Sequence, residues 1–565
     1  MTRRIRLPAL FLALFPFLTE SRSQPLPKGY LRYPLGIAPK LNANFGEMRP
    51  NHFHMGLDMS TEKRENLPLY AAADGHISRL KIEPGGFGRA VYIDHPNGLT
   101  TLYAHMNDFM PELEAHLKRI QYEKESWAMD LELAPDDFPV RKGQFIGYSG
   151  NTGGSQGPHL HFEVRETATG KCVNPLLLGF AIPDRVPPDL VRLAVYDRNR
   201  STYEQSPMLV SLSNKGGVYE HAGVIRVATD KVSLALQASD RMSGSPNPNG
   251  IYRVRLLEGE RVLGGFSIDR VGYEETRYLN AHIDHRYKKS GGPYLQHLFR
   301  LEGDRLGIYL DSLSTGIRLP DSSVRRFRIE VSDPYGNTSV ARVSLQRSST
   351  VKPATAPGGG LMRPGELGIH ETEDLQVVIP EDALYDSILF RHTRLAAASI
   401  PSGYSALHEV HTPNVPLHTA MTVRLKADKP IPYPLRERMI IRKTTGTEHQ
   451  VRKARWEAGW HTAEFREFGR FQLLADETAP TIQFIGLADG GRVTGSRITV
   501  SVDDDHKAIK NFRAELDGRW LLFSQRGRSF TYRFDEHFPP GKHSLRVSVE
   551  DEAGNRSTRS IELNR

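Results

Sequence analysis

The residues best suited to chemistry are histidines and an aspartate in three short stretches. The first is Asn51-His52-Phe53-His54-Met55-Gly56-Leu57-Asp58-Met59. If this stretch is extended, Phe53, Met55, Leu57 and Met59 face a core, and His52, His54, Gly56 and Asp58 face the other way. Gly56 contributes no side chain there, which leaves a gap an ion could occupy. The second stretch, Gly157-Pro158-His159-Leu160-His161-Phe162-Glu163-Val164-Arg165, sets His159 and His161 on one face, opposite Leu160, Phe162 and Val164. In the third, Leu102-Tyr103-Ala104-His105-Met106, Tyr103 and His105 share the face opposite Leu102, Ala104 and Met106. Imidazole is the commonest metal ligand and titrates near neutrality, so metal binding and proton transfer are the chemistry on offer. A chain of this length with 22 histidines holds roughly 0.9 His-x-His pairs by chance, so a pair alone is weak evidence. The weight lies in the combination. His52, His76, His95 and His116 are expected at the surface or the edge of a core. His408-Glu409-Val410-His411-Thr412 falls one residue short of H-E-x-x-H and sits in no helical pattern, so no metal site is expected there.

Strands are the simplest elements for aiming such pairs. After residue 24 the sequence is rich in short alternating runs separated by Gly, Pro and Asn turns. VYID, His95-Pro96-Asn97-Gly98 and LTTLYAHM together form a hairpin signal. One helix is expected over Pro111–Lys124, where Leu113, Leu117 and Ile120 recur at helical spacing. An internal repeat marks the C-terminal two-thirds: FRIEVSDPYGNTS from Phe327 aligns with LRVSVEDEAGNRS from Leu545. Upstream, Asp184-Arg-Val-Pro-Pro-Asp-Leu corresponds to Asp476-Glu-Thr-Ala-Pro-Thr-Ile. Each copy reads as a strand, a turn and a return strand, which suggests immunoglobulin-like sandwiches. The turn aspartates are read as turn formers in preference to calcium ligands.

The 565 residues are 39% hydrophobic and 25% charged, which excludes wholesale disorder and a multi-span membrane protein. The single cysteine, Cys172, excludes an intrachain disulfide and a cysteine-based zinc cluster, and it reads as a buried apolar filler. Arg3, Arg4 and Arg6 precede an apolar run from Leu7 to Leu18 and then Ser21-Arg22-Ser23, the layout of a signal peptide cleaved after Ser23. No cysteine follows to carry a lipid. Export to the periplasm, the cell envelope or the medium is expected, with no integral membrane segment after cleavage. Losing residues 1–23 removes four arginines and Glu20 from a net charge of +8. The remaining positive bias suits an anionic wall but names no partner, and nucleic acid is not expected.

Taken together, His54-Met-Gly-Leu-Asp58 (H-x-G-x-D), Tyr103-Ala104-His105 and Gly157-Pro-His159-Leu-His161-Phe-Glu-Val-Arg resemble the lysostaphin/LytM-type zinc metalloendopeptidases, which cut peptides of bacterial peptidoglycan. Phe45-Gly46, Ala73-Asp74-Gly75 and the Gly-rich run Val140–Gly153 fit as well. The resemblance covers about residues 30–180. It implies a mainly β fold, an antiparallel β-sheet groove with one zinc ion per chain held by His54, Asp58 and His161. His105 and His159 would be the catalytic imidazoles. Two neutral imidazoles and one carboxylate leave an open position for water, as a catalytic zinc requires. One departure is the long passage 107–139 between the Tyr-x-His stretch and the strand beginning at Val140. It is either a neutral surface insertion or a lid, wall or self-inhibitory element over the groove.

The expected organisation is a signal peptide at 1–23, a LytM-type metallopeptidase domain at 24–183, an Ig-like sandwich at 184–347, a linker at 348–360, a β-rich domain of unassigned type at 361–475 and a C-terminal Ig-like sandwich at 476–565. The expected activity is zinc-dependent hydrolysis of stem-peptide or cross-bridge bonds of peptidoglycan. Two other readings are a non-catalytic LytM-like regulator of other wall hydrolases, and a surface or scaffold protein whose sandwiches contact wall or protein partners.

Overall fold

The computed structural model describes residues 28–180, 182–310, 316–348, 360–395 and 403–565. The expected signal peptide, and all but the ends of the expected linker, lie outside them. Seven strands form the central path of the ten-stranded main sheet: β1 (Leu41–Ala43), β2 (Leu57–Ser60), β3 (Gly75–Ile82), β4 (Arg89–Asp94), β5 (Leu99–Ala104), β6 (Met129–Glu132) and β7 (His159–Glu166). They lie in the order β1-β2-β7-β5-β4-β3-β6 and every neighbouring pair is antiparallel. The β4–β5 hairpin closes where the Asn97-Gly98 signal sits, with Gly98 at φ 79°.

The helix α1 (Pro111–Glu123) matches the expected periodicity: Leu113 and Leu117 are buried. Proline in its first turn costs no hydrogen bond, and Glu112 and Glu114 complement the positive end of the helix dipole. The passage 107–139 is thus part of the peptidase core and also supplies the edge strand β6. The outward side of α1 meets the last module: Tyr122 stacks on His537 at 3.7 Å and donates to Asp535, and Lys118 pairs with Asp535 and Glu536.

A short strand, β8 (Cys172–Val173), pairs with β7 and with β9 (Arg270–Val271), so the main sheet continues into the region after residue 184. That region is otherwise two sheets, of five and six strands, whose inner faces share a core. In the six-stranded sheet, Val218–Val227 runs parallel to Thr338–Arg347. The C-terminal module repeats the device, with Gly491–Arg492 parallel to Arg556–Asn564. The repeated Asp-x-x-Gly-Asn segments join paired strands in both modules. Residues 360–475 carry two further five-stranded sheets. Most buried apolar side chains between residues 31 and 475 form one contiguous cluster and those of residues 482–563 form another, with smaller clusters beside them. Among the described residues, no helix is long and apolar enough to cross a membrane.

Candidate metal centre

The register of the main sheet assembles the cluster. Asp58 on β2 lies opposite His161 on β7, and His161 lies opposite Ala104 on β5. His54 precedes β2 and is held by backbone bonds, its amide to Glu47 O at 2.8 Å and its carbonyl to Gly46 N at 2.9 Å. His54 Nε2 and His161 Nδ1 lie 3.0 Å apart, and each is 2.9 Å from Asp58 Oδ1. All three side chains are buried. The other ring nitrogens are tied off: His54 Nδ1 to Asn44 O at 2.7 Å, and His161 Nε2 to Glu163 Oε1 at 2.9 Å. Arg49 Nη2 holds the second oxygen of Asp58 at 2.5 Å.

This donor set fits a metal. Two imidazole nitrogens and one carboxylate oxygen face a common point, and each ligand is oriented by a partner behind it. His52, on the same face by simple alternation, is exposed and bonded to Pro50 O, outside the cluster.

His105 and His159 stand beside it. Their rings are 4.7 Å apart, and the His159 Nε2 is 3.4 Å from Asp58 Oδ1. His105 Nδ1 is 2.9 Å from Thr152 O and His159 Nδ1 is 2.8 Å from Gly157 O. A carbonyl can only accept, so in both rings the proton sits on Nδ1 and Nε2 carries the lone pair.

Electrostatics follow from burial and these contacts. Burial and the rings of His161 and His159 push His105 down to about 3, so it is neutral. Burial likewise lowers His54. Asp58 is held well below the usual carboxylate range because its imidazole partners outweigh its desolvation. Desolvation opposes charge on His161, but Asp58 and Glu163 prevail and raise it to about 9. Glu163 is itself buried yet lowered to about 2 by Arg165, His161 and Tyr273.

Three readings of the sequence need correction. His54 to Gly56 form no strand, because β2 begins only at Leu57. The space at Gly56 serves the neighbouring strand, since a Cβ there would meet Phe162 O at 2.5 Å and Glu163 Cγ at 2.9 Å. Tyr103 and His105 do not share a face. Tyr103 lies opposite Phe162 in the core, and strict alternation would send His105 there too. Instead His105 follows the end of β5 with φ 61°, which turns its ring toward His161 and His159.

Other contributors carry weaker signals. Glu163 is two residues beyond His161 on one strand and could have been placed by alternation alone. Asn44, Arg49 and Thr152 have no such marker. Tyr273, which donates to Glu163 and packs against Arg165 and Phe87, comes from the next module, 110 residues away. Cys172 is fully buried, its Sγ 3.4 Å from Glu163 Oε2.

The model of peptidase family M23 matches residues 52–121 and 131–175, which carry all five of these imidazole and carboxylate side chains. Lipoprotein NlpD of Yersinia enterocolitica is 34% identical over 109 residues, which are 86% of its length and 19% of this chain. This chain belongs to peptidase family M23. Two longer relatives share the M23 region. DD-carboxypeptidase/endopeptidase Mpg of Neisseria meningitidis serogroup B is 35% identical over 141 residues, 25% of this chain and 26% of Mpg. Peptidoglycan DD-endopeptidase ShyA of Vibrio cholerae is 26% identical over 174 residues, 30% of this chain and 34% of ShyA. The chain thus spans about a quarter to a third of the length of these two relatives. Outside the M23 region, the model of a Zu5-like domain matches residues 361–476, the block of unassigned type.

Proposed function

We propose that this M23 chain is an exported, zinc-dependent endopeptidase that hydrolyses peptide bonds of bacterial peptidoglycan in the periplasm or cell envelope. The observation that carries the proposal is the convergence of His54, Asp58 and His161, with donor atoms within 4.8 Å of one another, beside two further imidazoles held in one tautomer. The names of Mpg and ShyA support the substrate class.

In this reading His54 Nε2, His161 Nδ1 and Asp58 hold one zinc ion per chain. When bound, zinc supplies Lewis acidity, polarising a carbonyl and making water nucleophilic near neutral pH. The chain's own residues do the rest. Asn44 O and Glu163 fix the ligand rings, and Arg49 fixes the carboxylate. The Nε2 lone pairs of His105 and His159 are placed to take a proton from water, and a ring so charged can pass it to the leaving amine. Thr152 O and Gly157 O keep those lone pairs aimed away from the backbone. The sequence carries no H-E-x-x-H glutamate, so imidazole takes the proton-handling part.

The test is digestion of purified peptidoglycan by the zinc-loaded chain, with mass spectrometry of the released fragments. Cleavage at a peptide bond, lost in His159→Ala with zinc retained, is the expected result. Full activity in His159→Ala, or intact peptidoglycan with the zinc-loaded wild type, would count against the proposal.

A further inference from the structure

A second cluster of buried donors lies at the end of the first sandwich that faces the peptidase region. Asp184 opens the module, Asp240 follows its strand Lys231–Ser239, and Asp333 sits in the turn between Arg325–Ser332 and Thr338–Arg347. One carboxylate oxygen from each lies within 4.8 Å of the others, and all three residues are buried. Two of them have local work. Asp184 Oδ1 accepts from Val186 N and from Ser243, and Asp333 accepts from Tyr335 N, Asn337 N and the Asn337 amide. The turn-former reading of Asp333 is therefore right as far as it goes.

Asp240 differs. It is 1% exposed, and neither of its oxygens meets a donor at hydrogen-bond geometry, the nearby amide of Arg241 included. Asp184 Oδ2 is also without a partner. An independent sign comes from a neutral residue. Asn249 is directly opposite Asp240, the two exchanging backbone bonds of 3.0 and 2.8 Å, so their side chains project from the same face. Asn249 is 4% exposed, and its Oδ1 has no partner either. The buried hydroxyl of Tyr335, in electrostatic contact with all three carboxylates, is a further unpartnered oxygen. Buried carboxylates so close together, with no cationic side chain among them, carry a large desolvation and repulsion cost. Every donor is an oxygen, and the formal charge is three negative. That suits a hard divalent cation of calcium's size and flexible coordination, and does not suit zinc.

We propose that Asp184, Asp240 and Asp333, with the side-chain oxygen of Asn249, form a calcium site at the junction between the peptidase region and the first sandwich. Its place gives it a structural consequence. Gly250, next to Asn249, exchanges hydrogen bonds of 2.8 and 3.0 Å with the Asn44 side chain, and Asn44 O orients His54. A cation at the cluster braces the loop that clamps Asn44. The C-terminal module repeats part of the frame, with Asp551 and Asn555 in the equivalent turn, but its converging donors Asp476, Asp505 and His506 include exposed and nitrogen ligands. The proposal is confined to the first module.

The test uses the full chain, stripped with chelator, reloaded with one equivalent of zinc chloride and titrated calorimetrically with calcium chloride. Thermal melts are recorded at each step. Affinity is expected in the range of roughly 10⁻⁴–10⁻³ M found for extracellular modules. Calcium should raise the melting temperature by a few degrees, and magnesium should do so less. Asp240→Asn should bind one calcium fewer and lose most of that rise. In calcium-free buffer it should melt above the wild type, because a buried uncompensated charge is gone. Asp184→Asn, which keeps an acceptor for Ser243 and Val186, repeats the measurement independently. Wild-type calcium stoichiometry and melting shift in both variants would overturn the site, as would no calcium uptake by the wild type at about 10 mM, beyond the range expected for such modules. Peptidoglycan hydrolysis is not the readout, so failure here and failure of the zinc peptidase reading are separate results.

Discussion

The M23 centre and the carboxylate cluster at the sandwich junction each gather three buried donors within 4.8 Å, and they treat those donors differently. In the candidate M23 centre each of the three donor residues has a second partner: Asn44 O behind His54, Glu163 behind His161 and Arg49 beside Asp58. The ligands are oriented by the fold itself. At the junction the Asp240 carboxylate meets no side-chain donor among the described residues, and its neighbours are acids and an unpaired amide oxygen. A site backed by its own hydrogen bonds is organised ahead of its ion and can aim chemistry. A site of facing carboxylates has its charge balanced only by a cation and serves to tie segments together.

The sharpest break in that comparison comes from removing a ligand. His161→Ala or Asp58→Ala should abolish both bound zinc and peptidoglycan hydrolysis, read by elemental analysis and digestion, while calcium uptake persists. Next, His105→Ala or His159→Ala should retain zinc and lose about 10²–10⁴-fold in turnover, the usual worth of a positioned proton-transfer group. Glu163→Gln probes the backing partner. It should weaken zinc affinity by roughly 10–100-fold in competition with a chelator, because a neutral amide replaces the carboxylate that orients His161 and raises its basicity.

Acid separates the regions more gently. Burial holds His297 of the first sandwich down to about 3. The folded ring stays neutral while the unfolded one takes a proton below its ordinary 6.5, so this residue costs stability as pH falls from about 6.5 toward about 3. His297→Leu should therefore gain on the wild type by about 2 kcal/mol between pH 7 and pH 5, measured as a difference of denaturation free energies. The smallest effect is expected at the surface contact between α1 and the last module. Lys118→Ala should cost less than about 1 kcal/mol and leave both zinc and calcium binding unchanged.

Much of the candidate centre was legible in the sequence because Asp58, His159 and His161 sit on short strands, where spacing of two residues sets the face. His159 and His161 follow that rule, and so does Glu163, had the alternation been carried two residues further. The rule failed at His105, where a left-handed φ at the strand end overrode it, and at Gly56, where the approach of β7 filled the supposed gap. The paired segments around Asp333 and Asp551 were legible from the Asp-x-x-Gly-Asn repeat. What the turn aspartates face was not, because Asp184, Asp240, Asn249 and Asp333 come from four separate segments.

By itself, the sequence determined the strand-rich class, the repeated hairpins and which imidazoles and carboxylate make up the H-x-G-x-D, Tyr-x-His and His-x-His motifs. Those properties depend on residue type and on spacing within a few positions, where backbone geometry leaves few choices. Tertiary structure alone decided that α1 belongs to the core and receives the last module, that Tyr273 reaches Glu163 from the neighbouring sandwich, and that three acids meet at the junction. Contacts of that kind depend on how whole sheets pack, and packing joins residues whose separation along the chain carries no pattern.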